Sequence, residues 1–187
     1  SWKETYDPTM FNEFDISTMP HTINRDEDGN FLFDYYDEYA NRVVGDMVTN
    51  KNLSIIGSPI KDLFFMKNRL ALVTKNSVVM SEVGEYGNFW RTTVMTLLDS
   101  DPIDATVDSI KAINIEYATY LEDAVMLFSD KAQFSLRGGD ILSPKSVQIT
   151  QTSAYEINRN VRPLFMNDKV FFVAKRGDKS AVMEYSV

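Results

Sequence analysis

The residues best suited to chemistry in this chain are the carboxylates of "LLDSDPIDATVD", where Asp99, Asp101, Asp104 and Asp108 crowd into one short stretch. Hard oxygen donors at that density suit Ca²⁺, which draws its ligands from flexible loops. The stretch lacks the turn glycine and terminal Glu of an EF-hand, and Asp101 stands before Pro102. An Asp before proline is biased to extended backbone, and Asp side chains satisfy nearby N–H groups, so the segment reads as a turn without a metal. The lone histidine, His21 in "MPHTINR", has no G-x-S-x-G elbow to serve as a base, and reads as a packing or solvated side chain. "GGD" at 138–140 has no following Lys-Ser/Thr helix start, and "RGDK" at 176–179 falls between two strand-like runs, so neither is a phosphate loop. Phe89, Trp90 and Arg91, with Tyr86 nearby, offer aromatic faces for a base or a sugar, or for a neighbouring subunit. Such residues also close the end of a sheet, and that packing role is the expected one. No catalytic, cofactor-binding or metal-binding residue is assigned.

Composition narrows the classes further. The chain has 187 residues, no cysteine, one histidine and a formal charge of −8. Without Cys there is no disulfide framework and no thiolate zinc site, and one His cannot build a His-based metal cluster. The negative charge argues against a clamp that holds nucleic acid by neutralising phosphates. With 44% hydrophobic and 12% aromatic residues the chain has the content of a folded domain. It contains no run of 18 apolar residues to span a bilayer. Ser1 at the start and the strand-like ending "AVMEYSV" suggest an excised piece of a longer polypeptide.

The elements that must position these residues fall into two parts. Residues 1–59 are polar and loop-rich, with one hairpin expected where "HTINR" and "NFLFDYY" flank Asp28–Gly29. Residues 60–187 carry short β-branched and aromatic runs with period-two alternation, the pattern of strands. "IKDLFFM", "RLALVTK", "NSVVMSE" and "TTVMTLL" make one four-stranded meander. "IKAINIEYA", "AVMLFSD", "KAQFSLRG" and "SVQITQTS" make a second, and "RPLFMND", "KVFFVAK" and "SAVMEYSV" begin a third. Superposing the groups aligns Asn68, Asp123 and Asp168 at equivalent turns, with further turns at Lys75–Asn76, Asp130–Lys131 and Arg176–Lys179. The spacing matches propeller blades, of which the chain would hold about two and a half. The expected class is therefore all-β, with antiparallel four-stranded blades of a partial β-propeller after an irregular N-terminal segment, and a β-sandwich as the alternative. At least half of the residues after Ile60 should lie in strands, and Leu72, Val79, Met126, Phe134, Phe171 and Val182 should be buried.

Several blocks resemble a known family. "STMPHTINRDEDGNFLF" (17–33), "SPIKDLFFMKNRLALVTKNSVVMSE" followed by "NFW" (58–90), "DSDPIDATVDS" (99–109) and "LFSDKAQFSL" (127–136) are similar, in order, to tail tubular protein B, the nozzle proteins of short-tailed bacteriophages. Where that family carries a Pro-rich stretch, this chain has "TNKNLSI", so the loop at 51–54 should differ in shape. The resemblance implies a non-enzymatic structural protein of the virion tail, built from propeller domains and assembled as a six-fold ring of identical copies. It implies contacts with a tail adaptor protein and tail fibres, and transient passage of double-stranded DNA during ejection. On that reading Asp99, Asp101 and Asp104 are a candidate channel or assembly loop, and Phe89, Trp90 and Arg91 candidate interface residues. The alternative is a tail-associated glycan hydrolase or a glycan-binding propeller domain.

Overall fold

The computed structural model describes residues 2–108 and 112–186. Among these the regular structure is a single 3-10 turn, Ile16–Thr18, and antiparallel strands. Strands β1 (His21–Arg25) and β2 (Phe31–Tyr35) pair as the expected hairpin. Gly29 sits at φ +88°, a conformation that side chains with a Cβ resist, and the Asp26 carboxylate accepts from the Asn30 backbone N–H at 2.7 Å.

The first four-stranded sheet comprises β3 (Asp62–Met66), β4 (Arg69–Val73), β5 (Ser77–Met80) and β6 (Ile103–Thr106), in sequence order. The second comprises β7 (Ile115–Leu121), β8 (Ala124–Ser129), β9 (Gln133–Arg137) and β10 (Gln148–Ser153). The third has three strands, β11 (Leu164–Met166), β12 (Lys169–Arg176) and β13 (Lys179–Tyr185). Each opens with a tight hairpin: Met66 pairs Arg69, Leu121 pairs Ala124 and Met166 pairs Lys169. Lys67–Asn68 and Asn167–Asp168 both take the left-handed conformation, the twist that matches two strands joined by so short a loop. In the second sheet only Glu122 of the pair does so.

The sheets stack face to face in series. Phe64, Ala71, Val73, Val78 and Met80 of the first meet Ala118, Val125, Leu127, Phe134 and Leu136 of the second in one apolar cluster. The opposite face of the second, with Leu121, Met126 and Phe128, meets Val170, Phe172 and Ala174 of the third. A middle sheet covered on both faces goes beyond the two layers of a simple sandwich. The other face of the first sheet, Leu72 and Val79, is covered by Met19, Leu53, Ile55, Phe89 and Trp90, so the N-terminal segment shares its core with that sheet. Gly87 marks a close approach there: a Cβ on it would stand 2.2 Å from the Glu38 carbonyl oxygen.

Four expectations need correction. "TTVMTLL" (92–98) is irregular, with Met95 83% exposed, and the fourth strand of the first sheet is Ile103–Thr106 inside the acidic stretch. β7 runs on to Leu121, through residues expected to form a loop, while Ile110 and Lys111 of the expected strand lie outside the described residues. Leu72, Val79, Met126 and Phe134 are buried as expected, but Val182 is 75% exposed and Phe171 half-buried. The third sheet turns its other face inward: Phe172 is 4% exposed and pairs with Met183. Strands account for just under half of the described residues after Ile60, because the irregular segment between β5 and β6 is long.

Candidate functional site

The side chains expected to carry function are drawn into ties between elements. Arg69 opens β4 directly after a tight turn and points into the protein, where it is 0% exposed. Its Nη1 donates to the carbonyls of Ser81 (2.7 Å), Asp101 (2.8 Å) and Ser100 (3.2 Å), and its Nη2 to those of Asp99 (2.7 Å) and Leu142 (3.3 Å). One guanidinium thus gathers the end of β5, the acidic loop and the segment after β9. Burial pushes its pKa down, with Glu82 and Asp101 opposing the shift.

The acidic residues do not converge. Asp101 is 0% exposed, and its Oδ2 accepts from Arg91 Nε at 3.2 Å and from the Leu98 N–H at 2.9 Å. Asp104, on β6, accepts from the backbone N–H and the hydroxyl of Ser54, tying the N-terminal segment to the first sheet. Asp99 is exposed and lies 3.6 Å from Lys145, while Asp108 is exposed. Among the described residues no group of three or more His, Cys, Asp or Glu side chains is placed to share a metal ion.

The aromatic pair takes the packing role. Phe89 and Trp90 are each 1% exposed, with Phe14 stacked on Trp90 at 5.4 Å and the Arg42 guanidinium over the same ring at 4.1 Å. Arg42 is itself 1% exposed and donates to Asn52 at 2.7 Å. Buried rings and a buried cation give mutual stabilisation and leave no face for a partner. Arg91 spends its other donors on the Thr49 and Thr96 carbonyls, and Tyr86 donates to Asn68 at 2.7 Å. His21 packs on Phe33, ring centroids 5.1 Å apart, with Nδ1 2.8 Å from the Met19 carbonyl. "RGDK" forms the β12–β13 hairpin turn, with Gly177 at φ +63°. "GGD" lines a polar cleft together with Lys67 and Asp123.

Two further carboxylates escaped sequence reasoning. Asp62 on β3 accepts from the Ala118 N–H of β7 and from Arg162 just before β11, both at 2.8 Å, so one side chain joins three sheets. Asp130, 4% exposed, accepts from the backbone and side chain of Asn114 and from Arg159 at 2.9 Å. Burial alone would raise the Asp130 pKa, but the Asn114 bonds, with Arg159 and Lys131, outweigh it and hold the carboxyl below its usual value. A buried charge needs a partner, so an acid or arginine inside an apolar strand is the signal that was available. Its partner is defined only in space.

The arrangement is architectural: charged groups are used to lock sheets and loops together. Over residues 1–187 the chain matches the family described as bacteriophage nozzle protein. It is 32% identical to tail tubular protein gp12 of Escherichia phage T7 across 184 residues, which is 98% of this chain and 23% of that protein. The chain therefore spans about a quarter of the length of that curated relative. It belongs to the bacteriophage nozzle protein family, structural proteins of the virion tail.

Proposed function

We propose that this chain is part of a nozzle subunit that assembles with identical copies into a six-fold ring, whose central channel conducts double-stranded DNA during ejection, and that it performs no catalysis. The observation that carries the reading is the family match over the whole chain, joined to a fold in which buried charges serve as ties between sheets. A tail adaptor protein above and tail fibres beside the ring are the partners that fit this role. On this reading the three sheets in series are blades of a β-propeller, two of four strands and one of three.

A conduit must hold its subunits firmly without trapping the phosphate backbone. A net charge of −8 suits that task, since acidic walls repel phosphates where basic ones bind them by counterion release. Of the acidic loop, Asp99 is exposed at the surface and is the member that faces DNA or a neighbouring subunit, whereas Asp101 and Asp104 serve the fold. Low-resolution imaging of the full-length protein tests the reading. Rings with six-fold symmetry and an open centre are expected, and a monomer or a closed particle overturns it.

A further inference from the structure

The β1–β2 hairpin has a face that nothing among the described residues covers. Side chains that pair across an antiparallel ladder lie on one face, and here the pairs His21–Tyr35, Ile23–Phe33 and Arg25–Phe31 share it. Phe31 is 74% exposed, Phe33 70% and Ile23 67%. The alternate positions Thr22, Asn24 and Asp34, with Leu32 as the apolar side chain among them, give the other face a largely polar character. The hairpin is a sheet of its own and contributes nothing beyond Met19, at its root, to the apolar clusters. Two strands alone are marginal in water, and an exposed aromatic ladder of this kind marks an interaction surface.

The same chain carries a surface of the opposite shape. A groove of about 400 Å³ runs along Phe11, Phe14, Ile55, Ile56 and Pro59, with Asp15 as the one charged residue in its lining. Arg25 is the one permanent cation on the hairpin ladder. Apolar rings beside a cation, and an apolar groove beside a carboxylate, are complementary in both respects. Because projection and groove are different patches of one chain, their engagement is head-to-tail, the kind of contact that closes into a ring.

We infer that the β1–β2 hairpin is an assembly arm that seats Ile23, Phe31 and Phe33 in the Phe11–Pro59 groove of a second copy of this chain, with Arg25 facing Asp15 of that copy. This rests on the multi-copy ring proposed above. The three side chains offer on the order of 400 Å² of apolar surface, taking about 150–250 Å² for each large ring. Doubled for the partner, that falls short of the roughly 1,200 Å² of a stable pairwise complex, so the contact holds when each subunit makes it twice in a closed ring.

The test uses the full-length protein, with any cysteine outside this chain replaced by serine. Phe33→Cys and Ile56→Cys are made separately, tagged differently, mixed, assembled and oxidised. A disulfide-linked pair containing one of each variant is expected. Rings in the image with no mixed pair overturn the arm contact and leave the ring reading intact, whereas the absence of rings from the unsubstituted protein overturns both. Protection of Phe33→Cys from maleimide in the unassembled monomer also overturns the inference, since the rest of the same polypeptide would then cover the arm. As a second readout, Arg25→Glu should weaken ring formation at least about tenfold through charge repulsion with Asp15, and Asp15→Lys in the same chain should restore it.

Discussion

Replacing Arg69 by Met keeps the length and apolar stem of the side chain and removes only the guanidinium. Five backbone carbonyls at 2.7 to 3.3 Å then lose their donor, in a region where Arg69, Ser81 and Asp101 are all 0% exposed. Hydrogen bonds from a charged donor each contribute about 1.5–3 kcal/mol, but burying the guanidinium opposes that gain and the variant recovers its desolvation. Only neutral carbonyls are left behind, so the net loss is about 1–3 kcal/mol, the cost of leaving a buried acceptor unsatisfied. Arg69→Lys retains the charge with fewer donors and a different geometry, and should fall between the two. Urea unfolding monitored by far-ultraviolet circular dichroism reads the difference, provided the slope stays constant. Amide hydrogen exchange should also accelerate across 99–101, since that loop is held through its carbonyls. A loss below about 1 kcal/mol with unchanged exchange would refute the clasp, because it would mean that the carbonyls find equivalent partners without the arginine.

The inward face of the third sheet predicts that Phe172→Ala costs about 3–5 kcal/mol and Phe171→Ala markedly less, both by urea unfolding; the reverse order would restore the opposite register. Asp130 predicts an acid-sensitive window. Its folded pKa is depressed, so its contribution is present above the usual aspartate value of 3.8 and is lost as pH falls through the folded value. Asp130→Asn should flatten the stability profile in that window and lower stability at neutral pH. Adding calcium should leave the melting temperature unchanged, because Asp99, Asp101 and Asp104 point to Lys145, Arg91 and Ser54, and a rise would reveal a site they form together.

The tight hairpins were legible because Lys67–Asn68, Glu122–Asp123 and Asn167–Asp168 punctuate apolar runs at matching places, and a turn is specified by its own residues. The phase of the third sheet was not. In "KVFFVAK" both Phe171 and Phe172 are apolar, so the run carries no alternation, and only the sheet it meets selects the buried ring. "TTVMTLL" is β-branched and apolar enough to pass for a strand, yet β5 pairs with "IDAT", whose Asp104 is tolerated because Ser54 satisfies it from outside the sheet. Asp101, Asp104 and the aromatic pair were visible as types and misleading as surfaces. Arg42, Arg91 and Ser54, which draw them inward, stand far from them in sequence or have no spacing that announces the contact.

A cation held by carbonyl oxygens has no acid among its acceptors. The Arg69 clasp therefore loses no acceptor to protonation as the pH falls, while the tie through Asp130 weakens once acid protonates its carboxyl. It is shielded from dissolved salt as well, being closed off from solvent. Whatever fluid surrounds the assembled tail, the clasp of β5, the acidic loop and the segment after β9 is the tie least sensitive to its chemistry, and would be expected to outlast those that depend on a carboxylate.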